Sequence, residues 1–159
     1  MPRLVENPIR PLRYSLNRSA CAWSEDNIMD QMRRKARLLA IDDHADSAEL
    51  IARVASKLGY ESRAAAGPDA LRQNSAAWQP DILTLDLCMP EEDGLDVFSL
   101  LEKSGFSGRI VIISGHDEWL RTSAGRLASA RGLQIVGNLS KPIDLNLLRG
   151  LLSNLQAEI

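Results

Sequence analysis

The sequence is poor in the residues from which disulfide-rich, zinc-binding and membrane proteins are built. Its 159 residues include only two cysteines, Cys21 and Cys88, and two histidines, His44 and His116. These are too few for a disulfide framework or for a repeated zinc-ligand spacing. No apolar run approaches the roughly 18 residues of a membrane span, and the N-terminus lacks the apolar core of a secretion signal. We therefore expect a cytoplasmic protein with no membrane partner.

Positive charge is concentrated near the N-terminus. Residues 1–37 carry a net charge of +4 and residues 38–159 a net charge of −6, which together give −2. The larger, acidic part is a poor surface for nucleic acid, so we expect no nucleic-acid partner. Carboxylates bind phosphate groups through a shared cation, so the imbalance favours a metal-assisted phosphate site.

The chain divides into a short extension and one domain. Residues 1–36 place prolines among arginines without a sustained apolar period, which predicts an N-terminal extension that is largely disordered or partly helical. From residue 37 onward, short apolar segments alternate with helical patterns. Residues 37–156 are long enough for one domain with a substantial core.

Five strands and five helices are predicted in alternation. Apolar runs predict strands over about 37–42, 60–65, 82–86, 109–114 and 133–136. A period near 3.6 predicts helices over about 45–58, 68–77, 95–105, 118–131 and from Asp144 onward. In the first helix, the apolar stripe comprises Leu50, Ile51, Val54, Ala55 and Leu58. Such alternation is typical of a parallel sheet with helices on both faces.

Four of the predicted strands lead to side chains suited to phosphate chemistry. The first is followed by Asp42 and Asp43, the third ends at Asp86, the fourth at Ser114, and the fifth leads to Lys141. The carboxyl ends of parallel strands face one crevice, so these groups should meet there. They could hold a divalent cation and a phosphoryl group together. This arrangement needs the first and third strands to be neighbours, which favours strand order 2-1-3-4-5 over 3-2-1-4-5.

Each of these residues also has an ordinary structural interpretation. Adjacent carboxylates are tolerated when a divalent cation lies between them, but Asp42 and Asp43 equally suit a solvated loop that opens a helix. Asp86 is either a nucleophile that forms an aspartyl phosphate or a turn residue. Ser114 precedes glycine, as turn residues often do. Lys141 precedes proline, where a cis bond, the minority form, would turn the ammonium toward the sheet.

Taken together and in order, these residues resemble the receiver domain of two-component response regulators. The matching residues are Asp42-Asp43, the segment Asp86-Leu87-Cys88-Met89-Pro90-Glu91-Glu92-Asp93-Gly94, Ser114 and Lys141-Pro142. The resemblance covers about residues 37–155. It implies a flavodoxin-like (βα)5 doubly wound parallel sheet, with residues 37–156 as the receiver domain.

The resemblance implies a metal site with Mg²⁺ as the cofactor. Asp86 would accept a phosphoryl group. Asp43 and Asp86 would bind Mg²⁺ directly, together with the backbone carbonyl of Cys88. Asp42 would act mostly through water.

The resemblance also assigns the two remaining groups. Lys141 would pair with Asp86 and then with a phosphoryl oxygen, while Ser114 would hydrogen-bond another phosphoryl oxygen. Phosphoryl transfer depends mainly on positioning and on neutralising the developing charge, which Mg²⁺ and the ammonium would supply. The donor would be a sensor histidine kinase or a phosphotransfer protein.

The sequence departs from the family pattern at one position and varies at others. Asn138 stands where the family often has an aromatic switch residue, three positions before Lys141. Ser114 replaces the commoner threonine. Cys88 and His116 occupy positions that in this family influence the lifetime of the phosphoryl group, although each also suits a passive role.

The expected function is that of a stand-alone receiver that signals by changing its docking surface. Few residues follow Leu155, so no output domain is expected, and the protein should catalyse only its own phosphorylation and dephosphorylation. A monomer or weak homodimer is expected. Two alternatives remain open: an interaction module that does not use phosphorylation, and a hydrolase with an aspartyl intermediate. The hydrolase is disfavoured because Cys88, rather than an acid, follows Asp86 by two residues.

Overall fold

The fold is given by a computed structural model. The structure describes residues 34–67, 69, 73, 78–88, 94–115 and 118–159. Residues 1–33 of the predicted N-terminal extension and most of the helix predicted over 68–77 lie outside these residues. His116 also lies outside them.

The described chain forms a five-stranded parallel sheet in the order β2-β1-β3-β4-β5. The strands are β1 (Arg37–Ile41), β2 (Glu61–Ala65), β3 (Ile82–Leu85), β4 (Arg109–Ser114) and β5 (Gln134–Ser140). The described helices are α1 (Ala45–Lys57), α2 (Gly94–Lys103), α3 (Glu118–Ala130) and α4 (Leu145–Ala157). The predicted fold class and strand order are confirmed.

The three central strands are buried on both faces, whereas β2 and β5 form the edges of the sheet. Apolar residues from α1 and α4 cover one face, and residues from α2 and α3 cover the other. The first set includes Ile51, Val54, Leu148 and Leu152, and the second Val97, Phe98, Leu101, Ala124 and Ala128. Because helices cover both faces of the sheet, the sequences of β1, β3 and β4 are nearly continuous apolar runs.

Two local predictions differ from the structure. Leu50 is 40% exposed, and Ala48 takes the buried position instead, because it lies three residues before Ile51 on the same helix face. The last strand is longer than the predicted 133–136, since β5 pairs with β4 as far as Ser140, across an irregularity between Ile110 and Val111. An edge strand has a neighbouring strand on one side only and is more exposed than a central strand. Polar residues therefore interrupt its apolar pattern without ending its pairing.

Local signals in the sequence mark the ends of two helices. Gly59 has a φ of 98°, the left-handed conformation that ends a helix at little steric cost. Asp144 precedes α4, and its carboxylate accepts hydrogen bonds from the backbone N–H groups of Asn146 and Leu147. No helix among the described residues is long and apolar enough to cross a membrane.

We predict an unusually weak acid at Tyr60, whose buried hydroxyl donates a 2.7 Å hydrogen bond to the Leu152 carbonyl. Burial raises the pKa of Tyr60 to about 12, with a smaller raising effect from Asp81 and a lowering effect from Arg109. Spectrophotometric titration should show Tyr60 ionising near pH 12, above the value of about 10 that is ordinary for tyrosine. Because the folded state holds this proton more tightly, folding stability should fall as pH rises from about 10 to 12.

The Tyr60→Phe variant supplies the control for that titration. It should lack the transition near pH 12 and should lose less stability over the same pH range. Ionisation of Tyr60 near pH 10, with near-ultraviolet circular dichroism still native, would contradict the prediction.

A second prediction concerns Thr84, in the middle of β3, which is 1% exposed. Its hydroxyl has no hydrogen-bond partner among the described residues. Thr84→Val replaces this buried hydroxyl by a methyl group, so we expect the free energy of unfolding to rise by about 1 kcal/mol. Thr84→Ser keeps the hydroxyl and removes the methyl, and should lower it by about 1 kcal/mol. Urea denaturation measures both changes, and a Val variant less stable than wild type would refute the account.

Candidate functional site

Three acidic or polar side chains meet at the carboxyl ends of the central strands. Asp42 follows β1, Asp86 follows β3 and Ser114 ends β4. The backbone N–H of Asp86 donates to the Ile41 carbonyl at 3.1 Å, which continues the pairing of β1 with β3 to the site. Asp42, Asp86 and Ser114 are 1%, 2% and 0% exposed. The sheet therefore holds two carboxylates and a hydroxyl almost out of contact with water.

Lys141 connects the fifth strand to this group. Its backbone N–H donates to the Ser114 carbonyl at 3.0 Å, and its bond to Pro142 is cis. The ammonium donates a 2.6 Å hydrogen bond to Asp86 Oδ2. It also lies 2.7 Å from Asp42 Oδ2. This second contact is an ion pair rather than a directed hydrogen bond, since Asp42 Oδ2 has no hydrogen-bond partner among the described residues.

The two ion pairs keep Lys141 charged. Burial alone would lower the pKa of this ammonium, but close contact with the carboxylates of Asp42 and Asp86 outweighs burial and raises the pKa above its ordinary value. One ammonium nevertheless faces two buried carboxylates. The site therefore carries an excess of negative charge that a further cation would neutralise.

The third predicted acid, Asp43, lies nearer the surface and contacts His44. His44 Nδ1 is 2.8 Å from Asp43 Oδ1 and 3.6 Å from Asp42 Oδ1. Ligand atoms of Asp42, Asp43 and His44 all lie within 4.8 Å of one another. The sequence prediction did not include His44 in the site. Its position directly after Asp43 was the feature of the sequence that could have indicated it.

The donors at this site fit a hard divalent cation. Carboxylate oxygens are the protein ligands that Mg²⁺ prefers. Asp42 Oδ2 contacts the Lys141 ammonium at 2.7 Å without hydrogen-bond geometry, and a metal-bound water could occupy its remaining lone pair. The residues present therefore suit Mg²⁺, although no contact joins Asp43 to Asp86 among the interactions described.

Cys88 lies beside both Asp86 and Ser114. Its backbone N–H donates to Asp86 Oδ1 at 2.9 Å, so the two oxygens of Asp86 have different partners. The Cys88 thiol is 3.8 Å from the Ser114 hydroxyl. The predicted residues Asp42, Asp86, Cys88, Ser114 and Lys141 thus form one connected group.

The position of the family's aromatic switch residue is polar and solvent-facing in this chain. Asn138 is exposed on β5. A large aromatic ring, Trp119, lies instead in the first turn of α3, where it is 74% exposed.

Comparison with known proteins agrees with this geometry. The sequence profile of the response regulator receiver domain matches residues 38–153. A protein-glutamate methylesterase/protein-glutamine glutaminase of Myxococcus xanthus is 40% identical over 85 residues, which are 52% of this chain. The chain spans only 24% of that relative's length, so the likeness is confined to one part of the larger protein.

Two solved structures share the fold. A response regulator from Colwellia psychrerythraea is 28% identical with a TM-score of 0.70, and the match covers 79% of this chain and all of the other. A response regulator from Burkholderia pseudomallei, with a phosphorylated aspartic acid, a calcium ion and citrate, is 25% identical with a TM-score of 0.60. That match covers 78% of this chain and 72% of the other. The profile match, the sheet order and the site together show that the chain belongs to the receiver domain family of two-component response regulators.

Proposed function

We propose that this chain is a cytoplasmic receiver that accepts a phosphoryl group on Asp86 from a sensor histidine kinase or a phosphotransfer protein, with Mg²⁺ as cofactor. One observation carries the proposal: the ammonium of Lys141 lies 2.6 Å from Asp86 and 2.7 Å from Asp42, at the end of a buried parallel sheet. Two buried carboxylates beside one ammonium leave a negative charge that suits a cation and, through the cation, a phosphoryl group. The Burkholderia relative supports the proposal because its structure holds a phosphorylated aspartic acid and a calcium ion.

Asp86 is the group best placed to act as nucleophile. A carboxylate oxygen of Asp86 would form a new bond to phosphorus while the P–N bond of a phosphohistidine donor breaks. The leaving imidazole would take up a proton. Little covalent assistance is needed, because positioning and charge neutralisation supply most of the catalysis of phosphoryl transfer.

Asp43, Asp86 and the Cys88 carbonyl would hold Mg²⁺, and Asp42 would contribute mostly through water. Bound there, the ion would neutralise charge on the phosphoryl oxygens. Asp42 and Asp86 are buried while Asp43 is partly exposed, so the cation site would open toward solvent through Asp43.

Lys141 and Ser114 would bind the oxygens of the transferred group. The ammonium that now contacts Asp86 Oδ2 would remain beside Asp86 and contact a phosphoryl oxygen. Ser114 lies on the neighbouring strand, with its hydroxyl near the Cys88 thiol, and could donate to a second oxygen. The backbone N–H of Lys141 donates a hydrogen bond to the Ser114 carbonyl, so movement of Ser114 would also shift the end of β5.

The signal would leave as a change in the surface around this strand end. Phosphorylation biases an equilibrium between two conformations of a receiver rather than creating a new fold. Asn138 has no aromatic ring that could become buried on phosphorylation. The surface that changes would therefore differ from that of relatives with an aromatic residue at this position. Whether the receiver acts without an attached output domain stays a prediction, which the intact mass of the protein from its native source tests.

The main prediction is that acetyl phosphate and Mg²⁺ label the wild-type protein at one site. The adduct should be labile to hydroxylamine, as an acyl phosphate is, and should be absent from Asp86→Asn. Asp96→Asn, which alters an exposed acid on α2, is the matched control and should label normally. Intact-protein mass spectrometry gives the readout.

The same measurement separates the competing functions. Absence of label on a folded wild-type protein that binds Mg²⁺ would favour a phosphorylation-independent interaction module. Sustained turnover of varied phosphate esters would favour the hydrolase. Labelling of Asp86→Asn to the wild-type extent would exclude Asp86 as the acceptor.

A further prediction concerns the ammonium. Lys141→Ala leaves Asp42 and Asp86 without their cation, so we expect the metal-free protein to lose up to about 3 kcal/mol of stability. Millimolar Mg²⁺ should recover more stability in this variant than in wild type, because it replaces the missing charge. Labelling by acetyl phosphate should fall at least about tenfold. Lys103→Ala, at an exposed position of α2, should change none of these, and equal effects of the two variants would refute the role of Lys141.

A further inference from the structure

His44 lies beside the acidic pair Asp42-Asp43, and its exposed ring contacts Asp43. It is the N-cap residue of α1, yet its side chain makes no capping hydrogen bond. Its backbone N–H donates to Asp42 Oδ1 at 2.9 Å, which holds the residue close to the acids. The ring is 73% exposed, and its Nδ1 faces Asp43 at 2.8 Å.

The spacing of these groups is close to that of ligands around one ion. Ligands of a six-coordinate ion with bonds of about 2.1 Å lie about 3 Å apart when adjacent and about 4.2 Å apart when opposite. Ligand atoms of Asp42, Asp43 and His44 lie within 4.8 Å of one another. Small side-chain rotations would therefore bring all three to the same ion. A metal at Nδ1 leaves the ring proton on Nε2, an exchange that water can mediate at so exposed a ring.

We propose that His44 is a metal-specificity residue, which gives the site a nitrogen ligand and makes it prefer first-row transition-metal dications to Mg²⁺. Imidazole binds Ni²⁺, Cu²⁺ and Zn²⁺ well, whereas Mg²⁺ favours carboxylates and water. An oxygen-only site would discriminate less between these ions. The inference rests on the proposed function, because Asp43 is the ligand that both classes of ion would share.

The test is isothermal titration of the full chain with Ni²⁺ and, separately, Mg²⁺, at one fixed pH in a non-chelating buffer. His44→Ala should weaken Ni²⁺ binding by about tenfold or more, and Mg²⁺ binding by less than about threefold. His44→Gln should behave like the alanine variant toward Ni²⁺ while its amide preserves a hydrogen bond to Asp43. This pair of variants separates metal ligation from mere positioning of the carboxylate.

Two further variants locate the bound Ni²⁺. Asp43→Asn should weaken the binding of both Ni²⁺ and Mg²⁺, because it removes the carboxylate ligand that the two ions would share. His116→Ala removes the other histidine of the chain and should leave both affinities unchanged. Loss of Ni²⁺ binding in His116→Ala but not in His44→Ala would overturn the assignment.

The outcomes also distinguish this inference from the proposed function. If wild type binds Mg²⁺ and is labelled by acetyl phosphate, but His44→Ala changes both affinities by the same factor or neither, the specificity role is wrong and the receiver function stands. The opposite outcome is also possible: wild type neither binds Mg²⁺ nor becomes labelled, but it binds Ni²⁺ and His44→Ala does not. In that case the receiver function fails and the nitrogen ligand stands. A wild type that does not bind Ni²⁺ overturns the inference.

Discussion

The contact of one ammonium with two buried carboxylates is the interaction on which the site depends. Asp42 and Asp86 would repel each other strongly in a dry environment, and Lys141 lowers that cost by lying within hydrogen-bond distance of both. The compensation is incomplete, since two negative charges face one positive charge. This imbalance makes the sheet edge receptive to a second cation and, through that cation, to a phosphoryl group.

The parallel sheet is what brings these charges together. In β1 and β3, Ile41 is paired with Leu85, so the residues that follow, Asp42 and Asp86, emerge side by side. In β4 and β5, Ser114 is paired with Ser140, which places Lys141 one residue beyond the same edge. Apolar helices on both faces hold the strands in this register and exclude water from the base of the site. Fold and site are therefore parts of one arrangement.

Much of this was predictable because it depends on short-range patterns. The apolar runs, the cap at Asp144 and the glycine at Gly59 all act through neighbours in the chain. The extent of β5 was not predictable in this way, because its pairing continues through the polar residues Asn138 and Ser140. Leu50 was misplaced for a different reason: Ala48 lies on the same helix face as Ile51, and a small alanine gives a weaker apolar signal in the sequence than a leucine does.

The sequence by itself determined the order of strands and helices, the acidic balance of the domain and the identities of the charged groups at the strand ends. These follow from residue type, periodicity and covalent order. The tertiary structure alone decided which groups touch: that Lys141 bridges two carboxylates rather than one, that the hydroxyl of Tyr60 reaches a carbonyl in α4, and that the ring of His44 faces Asp43. Such contacts depend on side-chain directions and on packing between segments far apart in the chain, which no local pattern encodes.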